Sequence, residues 1–203
     1  MKKKKTLMSN EDIAQELYRV VSEEAAALID LSIYVYRFVD IVKLVVRKCN
    51  SGNNIFFSGM GKCSFVADKL SCTFSSLCIP SFVLDCGNAL HGDVGKVRLG
   101  DLVFILSKSG ETEETVCLAK TMSSFDVFTV AITCNKDSTL SSLCDYSVVV
   151  NLKSEACYLG LAPTTSSTCM LAVGDAIGVA ASKCLGITKD DFSKNHIRGV
   201  LCK

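Results

Sequence analysis

The chain has 203 residues, 49% of them hydrophobic and 21% charged, with a formal net charge of +1. That length fills one domain, the composition excludes a disordered chain, and the near-neutral charge leaves no electrostatic footprint for a nucleic acid. Mean hydropathy is +0.34, but no uncharged apolar run reaches the roughly 18 residues of a spanning helix, so no membrane partner is expected.

Met1-Lys-Lys-Lys-Lys opens the chain, and no apolar segment follows it before Ser9-Asn-Glu-Asp. Residues 1–10 are therefore expected to form a disordered basic tail, not a secretory signal, and the chain is expected to be cytoplasmic. The 12 cysteines contain no C-x-x-C pair, and there are only two histidines. Zinc-site spacings are missing, so no metal is expected. Most cysteines lie in apolar segments, where a reduced thiol packs as a small hydrophobe.

Glu11 to Cys49 has no Gly or Pro and places Ile13, Leu17, Val20, Val21, Tyr34, Phe38, Ile41 and Val45 at helical spacing, which predicts one long helix or two, with Asn10 as N-cap. From there strands and helices alternate. The β-rich runs are 54–58, 81–85, 102–107, 127–133 and 146–151; the helical patterns are 62–77, 113–124, 138–143 and about 165–185. Such alternation predicts an α/β fold: a five-stranded parallel sheet in a three-layer αβα sandwich, within one domain over 11–203. Cys169–Ala181 reads as a buried helix despite Asp175, and its Ala172, Gly174, Ala176, Gly178 and Ala180 predict close backbone packing, between subunits as one option.

Two strand–loop–helix units carry the candidate chemistry. Ser107-Lys-Ser-Gly-Glu-Thr follows a strand and opens a helix. Its hydroxyls at Ser107, Ser109 and Thr112, the turn at Gly110 and the unpaired first-turn amides make a cradle for a phosphate; the same residues also suit an N-cap and turn. Ser58-Gly-Met-Gly-Lys is the second. Gly59 and Gly61 could open a dinucleotide fingerprint with Asp85 as its ribose acid, but Ser64 stands where the third glycine belongs. His91 lies in a glycine-rich turn. Glu155 precedes a hydroxyl-rich helix start at Thr164 and Thr165, which alone read as caps.

Taken together, these segments resemble the SIS (sugar isomerase) domain, and more closely its arabinose-5-phosphate isomerase branch, the KdsD/KpsF type. The resemblance rests on Ser58-Gly-Met-Gly-Lys, His91-Gly-Asp-Val-Gly, Leu106-Ser-Lys-Ser-Gly-Glu-Thr-Glu-Glu, Glu155-Ala-Cys-Tyr-Leu-Gly-Leu-Ala-Pro-Thr-Thr-Ser, Met170-Leu-Ala-Val-Gly-Asp-Ala and Asp191-Phe-Ser-Lys-Asn-His. Members often carry a pair of CBS domains after the SIS domain, and none is expected here. The family's His-Pro-Gly-Gly reads His196-Ile-Arg-Gly, and its Cys-Pro-Leu reads Cys157-Tyr-Leu.

The resemblance implies interconversion of D-ribulose 5-phosphate and D-arabinose 5-phosphate without a cofactor, feeding Kdo synthesis for lipopolysaccharide or capsule. It implies Lys62, His91, Glu111, Glu155 and His196 as the catalytic set. Ser58, Ser107, Ser109 and Thr112 become the phosphate anchor, and Gly59, Gly61, Thr164 and Thr165 further substrate contacts. In this reading Glu155 moves the proton, with Glu111 sharing or replacing it. His91 or His196 opens the ring and protonates oxygen, and Lys62 stabilises the oxyanion. The family also implies a homo-oligomer, dimer or tetramer, in which His196 completes a neighbour's pocket. A non-catalytic sugar-phosphate sensor on the same fold is the alternative.

Overall fold

A computed structural model describes residues 8–195; the basic run at 1–5 and His196 lie outside the described residues. The N-terminal region is two helices, α1 (Asn10–Ser32) and α2 (Val39–Asn50), joined by a 3-10 turn at Val35–Phe38. The cap of α1 is Ser9, one residue earlier than expected. Its side chain takes the Asp12 N–H while Asp12 reaches back to the Ser9 N–H, a reciprocal box that Asn10 cannot form with Ile13 at its N3 position. The break lets Phe38, Ile41, Leu44 and Val45 turn into the core while Ile33 and Tyr36 remain exposed.

After α2 the chain alternates: β1 (Ile55–Gly59), α3 (Lys62–Ser76), β2 (Ser81–Val83), α4 (Cys86–Ala89), a 3-10 turn at Asp93–Lys96, β3 (Leu102–Leu106), α5 (Glu113–Met122), β4 (Phe128–Thr133), α6 (Thr139–Leu143), β5 (Tyr146–Val149), α7 (Thr165–Cys184) and α8 (Lys189–Asn195). The five strands run parallel in the order β2-β1-β3-β4-β5, as the alternation predicts. The chain goes outward from β1 to β2, then crosses back to β3 on the other side. That reversal between β1 and β3 is the place where open parallel sheets bind ligands. The two short elements α4 and 93–96 and the terminal α8 have no apolar period of their own, and the sequence does not announce them. Asp85, a strand end in the sequence reading, instead caps α4 by accepting the Asn88 N–H at 2.7 Å.

Alternation along the strands divides the core into two layers. Phe57, Phe104, Leu106 and Ile132 face α2, α3 and α7; the stacked Phe57 and Phe104 rings lie 5.0 Å apart, and Phe74 of α3 meets Phe57 edge-on at 4.9 Å. Phe56, Val103, Ile105 and Ala131 face α4, α5 and α6 through Ala89, Leu118, Met122 and Leu140.

The small residues of α7 serve a contact within the chain. A Cβ on Gly174 would approach Leu70 of α3 to 2.4 Å, and one on Gly178 would approach Phe74 to 2.5 Å. These two glycines therefore set the α3–α7 spacing and are not available between subunits. Asp175, on the rim of this contact, pairs with Lys69 at 2.5 Å. The cysteines follow the packing expectation at Cys86 and Cys169, which are buried, and at Cys49, Cys63, Cys134 and Cys144, which are partly buried against the core. Cys72, Cys117 and Cys184 are exposed, and all eleven described thiols are free. Exposure arises because the helical period puts some cysteines on outer faces that an apolar run does not reveal. Among the described residues no single helix is long and apolar enough to cross a membrane.

Candidate active site

The loop after β3 begins with Ser107, whose N–H still donates to Ile132 of β4. Its side chain, on the buried layer, turns the backbone. Ser107 Oγ accepts the Gly110 N–H at 3.1 Å and lies 3.0 Å from Thr112 Oγ1. Ser109 Oγ accepts the Glu111 N–H at 3.1 Å. Gly110 has φ +70°, and a Cβ there would fall 2.1 Å from Ser138 Oγ, so no other residue fits this turn without displacing α6. Thr112 sits at the N-cap of α5 without a side-chain capping bond, and the first-turn amides that follow have no acceptor within their helix. The loop thus combines the two roles open in the sequence: a self-bonded turn, and amides and hydroxyls able to receive an anion. Glu113 and Glu114 lie in the same first turn and oppose an anion there, so a cation is needed nearby.

Lys108 supplies it. Its carbonyl accepts the Cys134 N–H at 3.0 Å and the Thr133 hydroxyl at 3.2 Å, which fixes the residue between Ser107 and Ser109. Its Nζ lies 2.7 Å from Glu155 Oε1; the lysine side chain is 39% exposed and the glutamate 1%. Glu155 is therefore a buried carboxylate reached through one solvent-facing cation. Ser166 Oγ donates to Oε1 at 2.5 Å. The Ser166 and Thr164 amides donate to Oε2 at 3.1 and 2.9 Å, and the Thr164 hydroxyl at 3.2 Å. Burial alone would push this carboxyl up. Lys108, the Ser166 hydroxyl and the two amides together outweigh burial and hold it at about 2. Cys134, beside the pair, is pushed up to about 12 by burial first and then by the Glu155 charge, so its thiol is protonated and inert.

The loop 155–166 is closed on itself by two bonds and tied to α1 by a third. Thr165 Oγ1 accepts the Ala156 N–H at 2.9 Å, Thr164 Oγ1 accepts the Cys157 N–H at 3.2 Å, and Arg19 of α1 donates to the Ala156 carbonyl at 2.7 Å. Arg19 is itself held by Glu16 and Glu23 at 2.6 and 2.7 Å. Thr164 and Thr165 thus order the segment that carries Glu155.

The remaining sequence candidates are arranged around this centre. Ser58, next to the last residue of β1, is fully buried, and its Oγ has no partner of ordinary hydrogen-bond geometry; the Cys86 thiol, a weak donor, lies beside it. Gly59 ends β1, and Gly61 (φ +61°) precedes α3. Lys62 is exposed at the start of α3 with its ammonium 5.7 Å from the centre of the Phe65 ring. Cys63 reaches the Lys108 backbone, so the first turn of α3 meets the loop after β3. His91 is exposed after α4, at the same carboxyl edge of the sheet. Glu111 does not join Glu155: its Oε1 accepts the Thr139 N–H of α6 at 2.8 Å, and that bond holds its carboxyl below the usual range. His196 lies outside the described residues.

Lys108, Ser166 and Arg19 are the residues sequence reasoning missed. Lys108 and Ser166 lie inside motifs that the sequence displays, and only the meeting of two loops distant along the chain gives them a role. Arg19 has no local signal at all. A cavity of about 520 Å³ between α1 and the 149–154 segment borders the site at Cys134 and Thr165 but does not include the phosphate-type loop.

Comparison with known proteins gives this geometry a context. The SIS domain family matches residues 49–180. Arabinose 5-phosphate isomerase KdsD of Yersinia pestis is 33% identical over 190 residues, covering 94% of this chain and 57% of the relative; KdsD of Escherichia coli K12 is 34% identical over the same span. The chain therefore spans little more than half the length of these curated relatives. Among solved structures, E. coli CFT073 c3406 in complex with arabinose 5-phosphate superposes with a TM-score of 0.86 at 35% identity, over 93% of this chain and 100% of that one.

Proposed function

The chain belongs to the SIS domain family, and from that premise we propose that it is an aldose–ketose isomerase that interconverts D-arabinose 5-phosphate and D-ribulose 5-phosphate. The curated relatives carry that activity in their names, and the solved relative at 35% identity binds arabinose 5-phosphate. In this reading the product feeds Kdo synthesis, and the enzyme works in the cytoplasm as a homo-oligomer.

One observation carries the reading. A buried, ionised carboxylate, Glu155, stands one lysine away from a loop of hydroxyls and amides. The loop suits a phosphoryl group, held by Ser107, Ser109 and Thr112 with Ser58 behind them. That anchor binds a part of the substrate that does not react, and so orients the part that does. Gly59 and Gly61 let the sugar approach the β1 edge closely, while Thr164 and Thr165 keep Glu155 in place.

The isomerisation moves one proton between neighbouring carbons. Glu155 takes the proton from C2 of the open-chain aldose while the C1 carbonyl oxygen gains one, giving the enediol. Return of a proton to C1, with loss of the O2 proton, gives the ketose. Glu111 is engaged with α6, so the carboxylate role falls to Glu155. His91 or His196 is assigned to ring opening and oxygen protonation, and Lys62 to the oxyanion. No step requires a metal or a redox cofactor.

The test is a coupled assay with arabinose 5-phosphate and a panel of hexose phosphates. Turnover of the pentose phosphate, lost by at least about 100-fold in Glu155→Gln, is expected. Binding of the sugar phosphate by calorimetry without turnover of any substrate would instead identify a non-catalytic sensor.

A further inference from the structure

Lys108 occupies two sites at once. Its backbone is part of the anion-type loop, between Ser107 and Ser109, and its ammonium is on Glu155 at 2.7 Å. The geometry points to Lys108 as a gate: resting on the isomerase reading above, we propose that the substrate phosphoryl group draws this ammonium away from Glu155 and thereby frees the carboxylate to act as base.

The exchange is favoured on both sides. An ammonium has three donors on a flexible four-carbon stem, and 39% of the Lys108 side chain is open to solvent, so it can turn without moving the fixed backbone. A phosphoryl dianion carries twice the charge of the carboxylate it competes with. It would also need this cation, because Glu113 and Glu114 flank the same helix start. Glu155 loses one partner and keeps the Ser166 and Thr164 donors, so it stays aimed. With Lys108 gone, burial acts against fewer opposing contacts and the carboxyl rises toward the range of a working base. Proton abstraction is thereby coupled to occupancy of the phosphate anchor, and sugars without a phosphate leave the base held.

Two substitutions separate this role from a structural one. Lys108→Met removes the phosphate contact but also releases Glu155. The Michaelis constant for arabinose 5-phosphate is expected to rise about tenfold or more, the loss of one charge-assisted hydrogen bond, while kcat falls by less. Lys108→Arg keeps the charge but adds a fork that grips a carboxylate through two bonds. Here the cation stays on Glu155, so KM is expected to rise as in Lys108→Met while kcat falls further than in that variant. A wild-type kcat in Lys108→Arg, or an effect of Lys108→Met confined to kcat, overturns the gate. A crystal structure of the unaltered chain with arabinose 5-phosphate supplies the direct reading. Nζ is expected on a phosphoryl oxygen and away from Glu155; an occupied loop with the Lys108–Glu155 contact intact overturns the inference and leaves the isomerase reading standing. Failure of the sugar phosphate to bind at all would overturn both.

Discussion

Arg19 of α1 donates from one guanidinium nitrogen to the carbonyl of Ala156, the residue that follows Glu155, at 2.7 Å. The same side chain is gripped by Glu16 and Glu23. A helix that precedes the whole sheet in the chain therefore braces the loop that carries the buried carboxylate. Arg19→Met removes this brace without touching the loop at 107–112. Circular dichroism and thermal midpoint are expected to change little, KM to hold, and kcat to fall several-fold. Unchanged turnover would show that Thr164 and Thr165 alone position the loop.

Glu155 also links stability to pH. Its folded value, about 2, lies below its ordinary value of 4.5. A carboxyl lowered on folding stabilises the fold above the unfolded value and loses that contribution as pH falls toward the folded one. The contribution is on the order of 3 kcal/mol at pH 7 and fades between about pH 4.5 and pH 2. Urea unfolding of wild type and Glu155→Gln is the measurement. The variant is expected to be less stable at pH 7, with the gap shrinking as pH falls to about 3. A gap that stays constant with pH would mean that the difference comes from packing and not from the charge.

The sheet was legible because a parallel strand buried on both faces leaves a continuous apolar run, as in Val103-Phe-Ile-Leu, and because helices between such runs leave few alternatives. The Ser107–Thr112 loop was legible for a local reason: strand, hydroxyls, glycine and helix follow one another within a short stretch. The Lys108–Glu155 pair was not. Lys108 looks like a solvated loop cation and Glu155 like a surface acid, and their charge relation exists only once β3, β4 and the start of α7 are assembled. The small residues of α7 announce a close contact but cannot name its partner, since a glycine pattern is the same whether α3 or a second chain lies against it. The cap at Ser9 escapes a sequence reading by one residue because both Ser9 and Asn10 are favoured cap types, and only the Asp12 return bond decides between them.

Gly110 is the point where the anion-type loop and α6 are locked together. Its φ of +70° disfavours any side chain, and the space for a Cβ is already filled by Ser138, whose hydroxyl caps α6 by accepting the Ser141 N–H. Gly110→Ala is expected to lower the thermal midpoint by several degrees and to weaken sugar-phosphate binding, because the loop must shift. Adding Ser138→Gly removes the collision but not the unfavourable backbone, which carries roughly 1 kcal/mol of strain. The double variant should therefore recover part of the lost stability and not all of it. Recovery is read against Ser138→Gly alone, which reports the loss of the α6 cap: full recovery to that level would assign the whole defect to the steric contact; none would assign it to the backbone.

The outer face of α1 bears on assembly. Leu17, Val21, Ala25 and Ile29 recur every four residues along it, and all are exposed; Leu17 is 66% and Val21 69% accessible. An i, i+4 row of this kind is the ridge that packs into the groove of another helix, and an apolar row this long is seldom left in water. Within the same chain α1 already meets α7 through its other face, and its partly buried Ala27 and Leu28 pack on the core. The homo-oligomer proposed above would seat a second copy of α1, with its matching ridge, on this row. Leu17→Asp with Val21→Asp places two charges on the ridge while leaving the core untouched. Light scattering is expected to show an oligomer for the wild type and a folded monomer for the double variant. Loss of turnover in that monomer, with sugar-phosphate binding retained, would show that the site needs its neighbour; an assembly unchanged by the two charges would place the subunit contact on another face.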